Sequence, residues 1–452
     1  MGRIVLDPEQ QEAVDRMVNE PTRAALNASQ YGTGKTVVTV EVAKGLGAKI
    51  VVVVAPLFTK YSWETTIRAQ VDDARVQFIN SRKAGQEALQ LLLAGEPGYY
   101  IVGREYFASK SIRGTLAAFS PQIDLLVYDE CARWSNHKSA GFRVMKTMKP
   151  KYRMALSATP YGNKFSGMYA ITQWLWPKLE GHASFWRWAA TWARTEMGFG
   201  GHVQVVGEKN PGAFVASLPC YVRLEKDFGP VIEQDIEVEL SNRERMIYDK
   251  FEKNLVVFLE ENFIKATVPA VKRTRLRQMS LGEVSVDPET DEVYFADDMK
   301  STKLDALLDI VAEYPDEKML VFMRSQKFAR VVAKRMREAG HRAEEWSGAV
   351  SEDERHRIKA RFLNGDTDYI VATVASIGEG TDGLQAASRM MVWLERDDNN
   401  MLNEQAFRRL YRRGQTRQVI SLDVIARDTY DKGQLSNLVQ QTLARNKSLA
   451  KK

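Results

Sequence analysis

The sequence predicts an α/β protein of two similar lobes, each built on a parallel sheet with helices on both faces. Three observations carry that expectation. Continuous apolar runs alternate with helix-like segments over the first 160 residues. The alternation lapses, then resumes near residue 300. And 452 residues exceed what one core usually organises. Uninterrupted apolar strands separated by helices are the signature of a sheet buried on both sides.

In order, the first series reads "AALNAS", "KIVVVVAP", "YYIVG", "IDLLVYDE" and "YRMALSAT" as strands, with "DPEQQEAVDRMV" and "KTVVTVEVAKGL" as helices. Residues 161–225 are aromatic and helix-like, with a glycine-rich patch at "EMGFGGH". "LSNRERMIYDKFEKNLVVFLEENFIKA" has helical periodicity, and "VSVDPETDEVYFADD" reads as an acidic hairpin or loop. The second series has strands "KMLVFM", "RAEEWSG", "DYIVATV", "RMMVWLE" and "VISLDVIA", the earlier ones separated by helices "SQKFARVVAKRMREAG" and "SEDERHRIKARFLNG". The expected organisation is a first lobe over 1–222 that includes the aromatic segment, an inter-lobe helical and hairpin region over 223–299, a second lobe over 300–440 and a basic tail over 441–452.

Composition narrows the class. With 44% hydrophobic and 27% charged residues the chain has a globular balance, and no apolar run reaches transmembrane length. The N-terminal "MGRIVLDPEQQ" lacks the apolar stretch and cleavage site of a signal peptide, and two cysteines, Cys131 and Cys220, make neither a disulfide framework nor a zinc site, so a reducing setting is expected, cytoplasmic in a bacterium or phage-infected cell and nuclear in a eukaryote. The five histidines are scattered. A net charge of +6 leans mildly toward a polyanionic partner.

The chemistry begins at "LNASQYGTGKTVVTV". A strand, a small flexible loop and a helix opening with Gly-Lys-Thr form a phosphate-wrapping loop, whose backbone N–H groups meet the anion at a helix N-terminus. Gly32, Thr33 and Gly34 line the loop, while Ser29 replaces the usual first glycine. Lys35 would reach the β- and γ-phosphates and Thr36 would ligate Mg²⁺. "IDLLVYDECARW" ends a strand in two carboxylates, where Asp129 would hold the metal through water and Glu130 would polarise the attacking water. "RMALSATPYGN" places Ser157 and Thr159 at the next strand end. In "NEQAFRRLYRRGQTRQV", Arg409 and Arg412 are three apart and are expected to share a helix face, suited to stabilising phosphoryl charge. Just upstream, "IVATVASIGEGTDGLQAA" is a strand and glycine-rich loop carrying Asp382.

The ordered set "LDPEQQEAV", "SQYGTGKT", "VVAPLFTKYSWE", "DECA", "SATP", "KMLVFMRS", "VATVASIGEGTDG" and "QAFRRLYRRGQ" resembles the superfamily 2 helicase-like ATPases, and within them the Swi/Snf-type branch of DNA translocases. The resemblance spans residues 4–430 and implies two tandem RecA-like lobes. It implies that Gln10 reads adenine, that Lys35 and Thr36 serve phosphate and Mg²⁺, and that Asp129 and Glu130 serve metal and water. Ser157 and Thr159 would couple hydrolysis to lobe movement. Gly380 and Asp382 would belong to the fifth motif, and Gln405, Arg409 and Arg412 to the sixth, with both arginines as fingers. Two motifs depart from the pattern: Asp-Glu-Cys-Ala replaces Asp-Glu-Ala-His, with Cys131 read as a packing residue, and Ser-Ala-Thr stands where this branch usually has Gly-Thr. Without accessory domains the chain resembles a bare motor, which would suit a bacterial or phage protein.

The implied cofactors are ATP and Mg²⁺, with ATP between the lobes. The implied partner is DNA, duplex preferred and bound without sequence preference, with RNA less favoured and no membrane. Two alternatives stand beside a DNA translocase: an RNA helicase, and a nucleotide-gated clamp with little turnover, against which Glu130, Arg409 and Arg412 argue. Trp174, Trp176, Trp186, Trp188 and Trp192 could stack bases, though helix packing is the simpler reading. Lys272, Arg273, Arg275 and Arg277 could meet phosphates or form a solvated face.

Overall fold

The structure, a computed structural model, describes residues 3–56, 59–161, 164–197, 202–254, 256–259, 262–265, 269–287, 289–290, 292–377 and 382–449. The chain forms two compact units, Met1–Asp227 with Leu443–Lys452, and Phe228–Thr442.

The first unit is built on seven parallel strands: β1 (Ala24–Asn27), β2 (Ile50–Ala55), β3 (Val76–Ile79), β4 (Gly98–Gly103), β5 (Leu125–Tyr128), β6 (Tyr152–Leu156) and, after an antiparallel ribbon of β7 (Ala193–Met197) and β8 (Val203–Glu208), β9 (Tyr221–Val222). Their order in the sheet is β3-β4-β2-β5-β6-β1-β9. Helices α1 (Pro8–Val18), α2 (Lys35–Gly45) and α3 (Lys60–Gln70) belong to its cover. β2, "IVVVVA", is buried at all six positions, as a strand covered on both faces must be. The order sets β5 beside β2 and β6, and β6 beside β1, so the loops leaving β1, β5 and β6 emerge side by side at the carboxyl edge, where open α/β sheets bind ligands.

The second unit holds β10 (Val231–Val238), two small hairpins made of β11 (Val256–Leu259) with β12 (Asn262–Lys265) and β13 (Ser285–Val286) with β14 (Val293–Tyr294), then β15 (Met319–Met323), β16 (Ala343–Trp346), β17 (Tyr369–Thr373), β18 (Met390–Trp393) and β19 (Val419–Ala426). Its six-stranded parallel sheet runs β10-β19-β18-β15-β17-β16. The expected α/β class with two parallel sheets is therefore the observed one.

Several local expectations change. The helical reading that began at "LSNRERM" ends at Asn254, and the β-rich "VVFL" pairs with "NFIK" as a hairpin, because β-branched and aromatic residues fit a pleated strand better than another helical turn. The aromatic segment gives helices Gly167–Leu175 and Phe185–Trp192 and then the β7–β8 ribbon, not helix throughout. Residues 223–299, expected between the lobes, supply the edge strand β10 and two helices, Asn242–Asn254 and Pro269–Met279, whose Tyr248, Phe251, Leu276 and Met279 join the second unit's core.

Of the five tryptophans, Trp174, Trp176 and Trp188 are buried and Trp192 is partly so; Trp188 packs on Phe165 at 5.2 Å and Phe214 at 5.5 Å. Trp186 alone of the five is largely exposed, at 56%. The basic cluster is similarly divided. Arg277 Nε lies 2.7 Å from Glu395, and Arg277 Nη1 lies 3.3 Å from Asp398, so this cation is committed within its own unit. Lys272 donates to the Glu252 carbonyl and Arg275 to Gln278, while Arg273 is exposed. No described helix is long and apolar enough to cross a membrane.

Candidate nucleotide site

The loop after β1 is shaped by two glycines and a borrowed hydrogen bond. Gly32 and Gly34 have φ of +78° and +85°, a region that side chains other than glycine's resist. A Cβ on Gly34 would also stand 2.5 Å from Gln10 Nε2. Gln10 is held in the capping box of α1 by Asp7, and its Nε2 donates to the Thr33 carbonyl at 2.7 Å, so α1 braces the loop from beneath. The departure at Ser29 is explained here. Its hydroxyl is buried and accepts from the Leu224 N–H at 3.0 Å, tying the loop to the chain beyond β9.

Lys35 is the first residue of α2, and Thr36 follows it, partly exposed, in the same turn. Lys35 Nζ donates to the carbonyls of Ser29 at 2.9 Å and Gln30 at 3.1 Å, so its ammonium folds back over the loop it would share with a phosphate.

Asp129 follows β5, its N–H donating to the Val54 carbonyl of the neighbouring strand at 2.9 Å. Its carboxylate accepts from Trp63 Nε1 at 2.9 Å and from the Glu130 N–H at 3.0 Å. Burial raises this carboxyl above the usual aspartate range, opposed by the Trp63 bond, the Lys35 charge and the Glu130 N–H. Lys35 and Asp129 thus feel each other's charge. Glu130 adopts a left-handed φ of +49°, strain of a kind concentrated at functional turns. Cys131 is buried, and burial followed by the Glu130 and Asp129 charges pushes its thiol well above the ordinary range, which suits a packing residue and not a nucleophile.

At the end of β6, the Ser157 N–H donates to the Asn27 carbonyl at 3.2 Å, and Ser157 Oγ accepts from the Thr159 N–H at 3.1 Å. Arg223 Nη1 donates to the carbonyls of Ala28 at 3.1 Å and Ala158 at 3.4 Å, linking this turn to the start of the glycine loop. Sequence reasoning missed Asn27, Trp63 and Arg223 as individuals. Trp63 lay within a quoted motif, but nothing in the sequence says that its indole N–H reaches Asp129.

The second unit assembles its own group. Helix Asn400–Phe407 carries Gln405, buried, whose carbonyl accepts from Arg409 Nε at 3.3 Å. The expected shared helix face for Arg409 and Arg412 is corrected: the helix ends at Phe407 and both arginines lie in the turns beyond it, where Leu410 is fully buried and Gly414 has φ of +91°. They still converge, because Arg409 Nη1 and Arg412 Nη1 both donate to Asp382 Oδ1, the former at 3.1 Å. Gly380 lies outside the described residues.

A family model for the SNF2-related domain matches residues 9–283, more than half of the chain. The chain belongs to the SNF2-related family. A model for the helicase conserved C-terminal domain matches residues 302–414, completing the arrangement of this family of helicase-like ATPases. Among curated proteins, the chain is similar to chromodomain-helicase-DNA-binding protein 7 of Gallus gallus, 22% identical over 461 residues that cover 91% of this chain and 14% of that protein. A 72-residue stretch is 33% identical to RNA helicase CrhR of Synechocystis sp., covering 16% of this chain and 15% of that one. The chain thus spans only a small part of the curated relatives it matches. Among solved structures it resembles the Sulfolobus solfataricus SWI2/SNF2 ATPase core in complex with dsDNA, with a TM-score of 0.42 and 19% identity over 98% of this chain and 93% of that one.

Proposed function

We propose that this SNF2-family chain hydrolyses ATP in response to DNA and uses the reaction to move along it, duplex being the preferred track. The observation that carries the reading is the gathering, at the carboxyl edge of one parallel sheet, of a glycine loop bearing Lys35 and the carboxylate pair Asp129–Glu130, on strands β1 and β5 that flank β6. The residues fit ATP with Mg²⁺. Two positive-φ glycines leave the loop backbone bare, and Gly34 stands so close to Gln10 that a side chain has no room. A helix N-terminus and an ammonium face the same loop, and a carboxylate that feels the charge of that ammonium stands at the end of β5, one strand beyond the neighbouring β6.

Lys35 and the N–H groups of Gly32 to Thr36 would hold the triphosphate, and Thr36 and Asp129 the metal. When bound, Mg²⁺ neutralises charge on the phosphate oxygens. Glu130 would orient and deprotonate the attacking water, its backbone already set by the strained turn. Gln10, whose amide braces the loop, would stand on the adenine side. Arg409 and Arg412, with Gln405 behind them, would stabilise charge on the transferring phosphoryl group. Ser157 and Thr159, tied through Asn27 and Arg223 to the glycine loop, would pass its state to the rest of the first unit. A net charge of +6 and the similarity to a DNA-binding chromodomain helicase support DNA as the track. The stretch similar to an RNA helicase supports RNA as the second reading.

The test is steady-state ATP hydrolysis by wild type and Lys35→Ala, each without nucleic acid and with duplex DNA, single-stranded DNA and RNA. Strong stimulation by duplex DNA, lost in Lys35→Ala, is the expected result. Stimulation by RNA alone would move the protein to the second reading. ATP binding without turnover on any of them would leave a clamp in place of a motor.

A further inference from the structure

The resemblance places Asp382 in the fifth motif, and its surroundings point to a role for it. One of its oxygens receives both Arg409 and Arg412, as one oxygen of a phosphate would. Desolvation alone would raise its carboxyl, yet Arg412, Arg409 and Lys359 hold it at about 2. Paired with both arginines, the carboxylate occupies the donors that a phosphate oxygen would otherwise meet.

Lys359 lies in none of the motifs. It sits on helix Glu352–Asn364, which packs on the turn Leu384–Ala386. Its Cε and Nζ stand 3.8 and 3.9 Å from the point where a Cβ on Gly383 would be, directly beside Asp382. Gly383 has φ of +99°, a conformation that residues with a side chain rarely adopt. Burial depresses Lys359, Asp382 opposes that, and Arg412 and Arg409 add to it, so the amine senses all three groups. Two guanidiniums therefore contact one carboxylate, and an ammonium close enough to feel their charges stands beside them. Arg412 Nε, moreover, is buried with no hydrogen-bond partner among the described residues, a donor kept in reserve.

We propose that Asp382 is an internal stand-in for a phosphate oxygen, holding Arg409 and Arg412 in place until the transferring phosphoryl group of ATP displaces it, and that Lys359 is the third cation whose charge favours that exchange. The inference rests on the reading of the two arginines as fingers. Lys359 and Asp382 act through the arginines as positioning residues. With the carboxylate displaced, the arginines meet the phosphoryl oxygens already oriented, and the charge of Lys359 lowers the cost of bringing more negative charge into the cluster.

The test uses the whole chain with duplex DNA and reads equilibrium binding of ADP with aluminium fluoride, binding of ADP alone, and kcat and KM for ATP. Lys359→Met keeps the length of the side chain and removes its charge. It is expected to weaken ADP–aluminium fluoride binding about ten-fold, leave ADP binding unchanged, and lower kcat by a similar factor at constant KM. Lys359→Arg should return within about three-fold of wild type. Asp382→Asn, which removes the competing charge and keeps an acceptor, should tighten the fluoride complex. Unchanged fluoride binding in Lys359→Met, or weakened binding in Asp382→Asn, would overturn the proposal. Arg409→Ala separates the two levels. If it loses turnover while Lys359→Met does not, this inference alone fails; if it retains full turnover, the finger reading fails with it.

Discussion

Asp129 and Asp382 are both aspartates beside cations, one in each unit, and their surroundings push them in opposite directions. Asp129 stands at the end of a buried strand with one tryptophan N–H, one backbone N–H and the charge of Lys35, and burial wins, so its carboxyl rises. Asp382 has two guanidiniums on one oxygen and an ammonium nearby, and the cations win, holding it at about 2. A single full cation at a distance does not repay desolvation, whereas two in contact do. The first arrangement leaves a carboxylate short of positive charge; the second puts two guanidiniums on one carboxylate oxygen.

The largest effects should come from removing the cation on either side of this comparison. Lys35→Ala and Arg412→Ala are each expected to lower DNA-stimulated kcat on the order of 10³-fold, read by steady-state hydrolysis. Circular dichroism should stay native in both. A loss confined to one of them would break the symmetry drawn here.

Packing effects come next and separate the aromatic residues. Trp188→Ala should cost about 3–5 kcal/mol of stability, because the ring is fully buried against Phe165 and Phe214. Trp186→Ala should stay within about 0.5 kcal/mol, since its ring faces solvent. Urea unfolding reads both, and DNA affinity of Trp186→Ala shows whether the exposed ring also stacks on bases.

The comparison is sharpened by pH. The Trp63 bond lowers Asp129, so Trp63→Phe should raise that carboxyl further. If Asp129 holds the metal as proposed, it must be ionised to do so, and the acid limb of kcat/KM should move to higher pH in Trp63→Phe. A profile that does not move would mean another group sets the limb. The smallest effect is expected at Asp382. Its carboxyl is depressed, so its contribution to stability is complete above the ordinary aspartate range near about 3.9 and is lost as pH falls toward the folded value. Asp382→Asn should therefore leave the pH dependence of unfolding unchanged above about pH 5 and flatten it only below about pH 4.

The candidate residues of the first unit could be singled out in the sequence because their patterns are local. Gly-Lys-Thr after an apolar strand, and Asp-Glu at the end of another, are short patterns whose backbone setting follows from the strand and helix around them. Arg409 and Arg412 were found by spacing, but their geometry was not: the expected helix stops at Phe407, and the turns beyond it bring both to Asp382. Lys359 was invisible, since nothing in "RHRIKARF" distinguishes one basic residue on an amphipathic helix from its neighbours.

The sequence by itself determined the α/β class and the two parallel sheets, and it singled out the candidate nucleotide loop, because strand and helix periodicity and loop chemistry act within a few residues. Only the tertiary structure decided which polar groups meet across long stretches of chain. It set Ser29 against the Leu224 N–H, Trp63 against Asp129, and the buried Lys303 2.6 Å from Asp431. Such pairs are chosen by desolvation. A buried donor or charge must find whatever partner the fold brings within reach, and that partner lies far away in sequence.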